Sequence, residues 1–104
     1  MYAAYYNALQ SVEVFVQRLV WDDWNVVHIA RHGVTPADVE AVCHDSNQLL
    51  AEGHSGRLLI GLSATGQILA VILAPEGEST YYPVTARPAD RRERQSYRAP
   101  RETT

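Results

Sequence analysis

The run Arg57-Leu58-Leu59-Ile60-Gly61-Leu62-Ser63, the break Ala64-Thr65-Gly66 and the run Gln67-Ile68-Leu69-Ala70-Val71-Ile72-Leu73-Ala74 decide the fold class. Both runs are strand length and rich in β-branched and aliphatic residues, and the break is turn-forming. So short a connection joins antiparallel neighbours. Their nearly continuous apolar character places both strands centrally, covered on at least one face by helices. Leu49 to Glu52 precedes them across Gly53-His54-Ser55-Gly56, and Thr80 to Thr85 follows across Pro75-Glu76-Gly77-Glu78. The pattern predicts an antiparallel meander.

Upstream, Val12, Val14, Val16 and Leu19 to Trp21 alternate partly with Glu13, Gln17 and Arg18, which reads as a first strand. Asp22 or Asp23 caps a helix from Trp24 to His32, and Gly33 suits the left-handed residue that ends it. Thr35-Pro36-Ala37-Asp38 opens a second helix, to about His44: a hydroxyl at the cap, proline at the first helical position, an acid near the positive end of the dipole. Val39, Val42 and Cys43 form its buried stripe, with Asp38, Glu40 and Asp45 facing water. Pro88 opens a last helix over Ala89 to Arg98. The class is therefore α+β, an antiparallel meander with two short helices in the N-terminal half and a C-terminal helix packed on it.

The 104 residues allow one domain, and an apolar share of 46% against 20% charged lies far from the composition of disorder. The expected domain runs over 12–99. Residues 1–11 form an extension in which Tyr2, Tyr5, Tyr6 and Leu9 recur at helical spacing, a short docking helix or a disordered tail; 100–104 is a frayed end. The longest apolar runs are strand length, too short for a helical membrane span, and Met1 to Gln10 lacks the charge and cleavage pattern of a signal peptide. A cytoplasmic protein is expected. The single cysteine, Cys43, excludes an internal disulfide and a multi-cysteine zinc finger.

The net charge of -3 argues against a nucleic-acid protein as a whole, but the charge is uneven. Residues 1–56 carry two arginines against seven acids, and residues 57–104 carry seven arginines against five. On the last helix Arg91, Arg94 and Arg98, extended by Arg101 in the tail, fall three or four apart, with Arg87 just before them. Such a ridge can hold successive phosphates; it can also be a solvated face. On the first helix Trp24, His28, Arg31 and His32 share one side. Two imidazoles beside an arginine can serve general acid–base work on a phosphodiester, or merely cap the helix and line the core rim. The His28–His32 spacing suits a metal ion, but no third ligand is evident, and neither a metal nor a cofactor is expected. Ser63 misses the G-x-S-x-G elbow by one residue and falls at a hairpin turn.

Two segments together resemble a known family. Trp21-Asp22-Asp23-Trp24-Asn25 with His28-Ile29-Ala30-Arg31-His32-Gly33-Val34-Thr35 is similar to the W-D…(K/R)-H-G-V opening of BrnT-type toxins. Thr85-Ala86-Arg87-Pro88-Ala89-Asp90-Arg91-Arg92-Glu93-Arg94-Gln95-Ser96-Tyr97 resembles their closing S-A-R-x-A…E-R…Y, with Thr85 in place of the serine. The resemblance covers about residues 18–98. It implies a RelE-like fold, a bacterial type II toxin that cleaves RNA without a metal, and a cognate antitoxin that covers the basic site. It also implies a homodimer or a toxin–antitoxin hetero-oligomer. By position it assigns Arg31 and His32 to the basic residue and histidine before the glycine, Arg87 to the arginine of S-A-R, and Arg94 and Tyr97 to the E-R…Y ending.

The expected chemistry is attack by the RNA 2'-hydroxyl, activated by His28 or Tyr97, with Arg31, Arg87 and Arg91 on the scissile phosphate. Arg94, Arg98 and His32 would bind flanking RNA. The alternative is a non-catalytic domain of the same fold that contacts a protein or nucleic acid.

Overall fold

The computed structural model describes residues 16–53 and 56–100. The N-terminal extension, the start of the expected first strand, two residues of the Gly53–Gly56 turn and residues 101–104 lie outside them. The elements run β1 (Arg18–Leu19), α1 (Asp23–Ala30), α2 (Pro36–Cys43), β2 (Leu49–Gly53), β3 (Gly56–Leu62), β4 (Ile68–Gly77), β5 (Thr80–Pro88) and α3 (Arg91–Arg98).

Strands β2 to β5 form the expected meander, each antiparallel to the next, within a sheet ordered β1-β5-β4-β3-β2. The edge differs. β1 is two residues long and pairs parallel with β5, so the sheet is mixed. Backbone bonds from Gln17 and Arg18 to the Ser79 carbonyl (2.8 and 3.2 Å) and from Val20 to Tyr81 (2.9 Å) fasten it. The chain then crosses through α1 and α2 to the opposite edge, and only a crossover can connect a strand to a parallel neighbour.

Alternation along β3 distributes the core. Leu59 joins Ile29, Val34, Val39, Val42, Cys43, Leu69 and Val71 beneath α1 and α2, whereas the adjacent Ile60 joins Leu49, Ile68, Ala89 and Tyr97 beneath α3. Successive strand residues point to opposite faces, so α1 and α2 cover one face and α3 the other. A helix on each face is the reason both central runs are apolar throughout. Gly61 permits the close approach of α2, since a Cβ there would lie 3.0 Å from a Val42 methyl and 3.3 Å from an Asp45 carboxylate oxygen.

All three helices start with a reciprocal capping box: Asp22 with Asn25, Thr35 with Asp38, Asp90 with Glu93. Asp38 is therefore buried against the Thr35 backbone and hydroxyl instead of facing water. Gly33 has φ +75°, the left-handed conformation expected after α1. The expected turn at Pro75–Glu78 moves to Glu78–Ser79, because β4 continues to Gly77. β3 pairing ends at the Arg57–Leu73 pair, so the N–H that Pro75 lacks costs no bond on that side. Pro88 ends β5 and does not open the last helix; the Ala89 N–H still bonds the Ile68 carbonyl at 2.9 Å, and Asp90 sets the helix start. Ser63 shapes its hairpin turn, its hydroxyl accepting from the Thr65 and Gln67 backbone. No helix among the described residues is long and apolar enough to cross a membrane.

Cys43 is buried, and burial, with the nearby Glu40 charge second, pushes its thiol up from 9.0 to about 12. In the unfolded chain the thiol ionises at the ordinary value, so above it the unfolded state binds fewer protons and stability falls as pH rises. Between pH 7 and 10 the loss attributable to Cys43 is expected to be roughly 1 kcal/mol. Urea unfolding at both pH values, compared with Cys43→Ala, checks it: the variant should lack this part of the pH slope.

Candidate nucleic-acid interface

On the α1 side the cap box fixes the helix start, with Asp22 N–H donating to Asn25 Oδ1 and Asn25 N–H to Asp22 Oδ1, both at 2.9 Å. The fully buried Asn25 amide also donates to the Val20 and Pro83 carbonyls at 3.0 and 3.1 Å, pinning α1 to β5. The Tyr82 hydroxyl donates to the Asp22 carboxylate at 3.0 Å. From this anchored helix projects the predicted polar face. The Trp24 and His28 rings stack at 4.8 Å and 7°, and His32 meets His28 edge-on at 5.8 Å. Trp24 is 57% exposed; Arg31 and His32 are exposed as well.

On the α3 side Arg87, on β5, donates through both terminal nitrogens to Glu93 at 2.8 and 3.0 Å. Glu93 is buried and also accepts the Asp90 N–H at 2.9 Å. A forked pair of this kind is the strong form of an ion pair and orders both groups. Arg94 donates to the Ala89 carbonyl at 2.7 Å. Tyr97 packs on Leu49, Ile60, Ile68 and Ala89, and its hydroxyl donates to Asp45 Oδ2 at 2.6 Å. Arg91 and Arg98 are exposed.

The structure therefore brings Arg87, Arg91, Arg94, Tyr97 and Arg98 to one helix and its adjoining strand, and His28, Arg31 and His32 to another, on opposite faces of the sheet. The expected convergence of Arg31 with Arg87 and Arg91 on one phosphate does not occur. Spacing along each helix was legible; which face each helix covers depended on strand parity and on the path of the crossover.

Three residues outside the predicted site hold these groups in place. Glu93 orients Arg87, and its signal was the D-x-x-E spacing from Asp90. Asn25 anchors α1, three residues after its Asp22 cap. Asp45 was expected to face water on α2; it follows the helix and accepts from Leu62 N–H (2.9 Å), Asn47 N–H (2.9 Å) and Tyr97, which ties α2, β3 and α3 together. The Asp45-Ser46-Asn47 turn pattern was visible, but its contacts span 17 and 52 residues. Comparison with protein-family models gives no match for this chain, and comparison with curated proteins gives none.

Proposed function

We propose that the chain is the toxin half of a bacterial type II toxin–antitoxin pair of the BrnT type, a cytoplasmic protein that engages and cleaves RNA without a metal or cofactor through the α3 side of the sheet. The supporting observation is the arginine line of α3. Arg91 and Arg98 are exposed on either side of Arg94, which its bond to the Ala89 carbonyl keeps in register, and the Tyr97 hydroxyl lies on the same helix. Arginines spaced this way can neutralise successive phosphates.

Of the two candidate bases, Tyr97 shares an element with the arginines and His28 does not. The RNA 2'-oxygen attacks the adjacent phosphorus; its proton passes to the Tyr97 oxygen as Tyr97 gives its own to Asp45. The bond to the 5'-oxygen breaks, water protonates that oxygen, the hydroxide so formed takes the proton back from Asp45, and a 2',3'-cyclic phosphate remains. Arg91 and Arg98 neutralise the scissile phosphate and its neighbour. Arg87 has a positioning role, since Glu93 occupies its fork. The antitoxin would cover this basic side, in a hetero-oligomer or with a toxin homodimer.

The second reading, a non-catalytic BrnT-like binding domain for a protein or nucleic acid, is favoured by one observation: Arg87, Arg94 and Tyr97 are all engaged in intramolecular bonds. Purified chain incubated with mixed RNA, in EDTA and in Mg²⁺, separates the two. Cleavage in EDTA is expected. The double variant Arg91→Glu, Arg98→Glu should bind RNA at least ~10-fold more weakly and lower the slope of log affinity against log salt by about two. Salt-sensitive binding without cleavage supports the second reading, and neither binding nor cleavage rejects the toxin reading and leaves of the second only a domain that binds protein.

A further inference from the structure

We infer that the α1 ladder of Trp24, His28 and His32 is a stacking platform for an unpaired nucleobase, with Arg31 taking the neighbouring phosphate. The inference rests on RNA being the ligand, as proposed above, and adds a contact on the other face of the sheet.

The rings stand on one line, at i, i+4 and i+8. The near-parallel stack of Trp24 on His28, closed by the edge of His32, holds one face of the indole. Large apolar side chains are seldom left on a surface in this way: Trp24 and Val27, one helical turn apart, are 57% and 52% exposed. A fixed ring with an open face is what a base stacks on, and such contacts are indifferent to sequence because every base has a π-face.

The platform is rigid for a separate reason. The buried Asn25, adjacent to Trp24, holds two backbone carbonyls of the sheet layer, and the Asp22 cap box closes the first turn. A pre-ordered ring loses little freedom on binding. Charge then orients the strand. Asp22 and Asp23 at the start of α1 repel phosphate, whereas Arg31 just past its end attracts it. The base therefore sits at the Trp24 end and the phosphate at the Arg31 end.

Fluorescence anisotropy with two labelled probes tests this: a short single-stranded 2'-O-methyl oligoribonucleotide, which lacks the attacking hydroxyl and stays intact, and an abasic backbone of equal length. Trp24→Ala should weaken binding of the first about 10-fold and leave the second unchanged, with Trp24→Phe restoring most of the loss. The exposed position of Trp24 keeps the fold out of the result, and circular dichroism checks it. The Arg91→Glu, Arg98→Glu variant should weaken both probes alike, so failure of the ladder and failure of the α3 proposal give different patterns. The inference is overturned if Trp24→Ala leaves the first probe unaffected, if both probes weaken equally, or if the unaltered chain binds neither. Loss of a co-expressed protein partner with oligonucleotide binding intact also overturns it, in favour of a protein-docking face.

Discussion

Asn25→Ala is expected to lower the unfolding free energy by about 3 kcal/mol, which for a domain of this size moves the thermal midpoint by on the order of 15 °C. The side chain is fully buried and makes three bonds to backbone: it accepts from Asp22 and donates to Val20 and Pro83. Alanine leaves the buried Pro83 carbonyl and the part-buried Asp22 N–H and Val20 carbonyl without this partner, at about 1 kcal/mol each. Asn25→Asp, almost the same shape, should be as severe, because a carboxylate keeps the acceptor but faces two carbonyl oxygens where a donor stood. Urea unfolding followed by circular dichroism measures both. A loss below about 1 kcal/mol in both variants would show that α1 does not depend on this bridge. Packing of Ile29 and the bond from Tyr82 to Asp22 would then hold the helix on the sheet.

Tyr97→Phe is expected to reduce RNA cleavage in EDTA by about 100-fold, equivalent to about 2.7 kcal/mol in the barrier, the usual scale for losing a positioned proton acceptor. The ring keeps its packing on Leu49, Ile60 and Ile68, and Asp45 retains the Leu62 and Asn47 N–H groups. Stability should therefore fall by no more than about 1 kcal/mol. RNA affinity should not change, since the phosphate contacts lie on arginines. The contrast is informative beside Arg87→Ala, in which buried Glu93 loses its partner; there a drop in activity mixes folding with chemistry. If Tyr97→Phe cleaves at the wild-type rate, Tyr97 is not the base. If the wild type binds RNA but does not cleave it, the binding-domain reading replaces the enzyme.

Much of the fold was legible locally. The hairpin break at Ala64-Thr65-Gly66, the Thr35-Pro36 helix start and the left-handed Gly33 each rest on contacts within about five residues, where sequence spacing and spatial neighbourhood coincide. The helix start at Asp90 is equally local, set by the D-x-x-E box, whereas Pro88, a residue as common at a strand end as at a helix start, carries no unique signal. The parallel pairing of β1 was not legible. Two residues carry no periodicity, and their partner lies about sixty positions away in the chain.

The candidate site divides along the same boundary. By itself the sequence determined that Arg91, Arg94 and Arg98 form one helical line and that Trp24, His28 and His32 form another, since the helical repeat fixes which side chains share a side. Only the tertiary structure decided that these lines stand on opposite faces of the sheet. That follows from Leu59 pointing to one helix layer and Ile60 to the other, a parity set by strand register. Tertiary structure also decided that Arg87 is held by Glu93 and Tyr97 by Asp45. A carboxylate takes as partner the donor that packing brings within reach, and packing is a property of the whole chain.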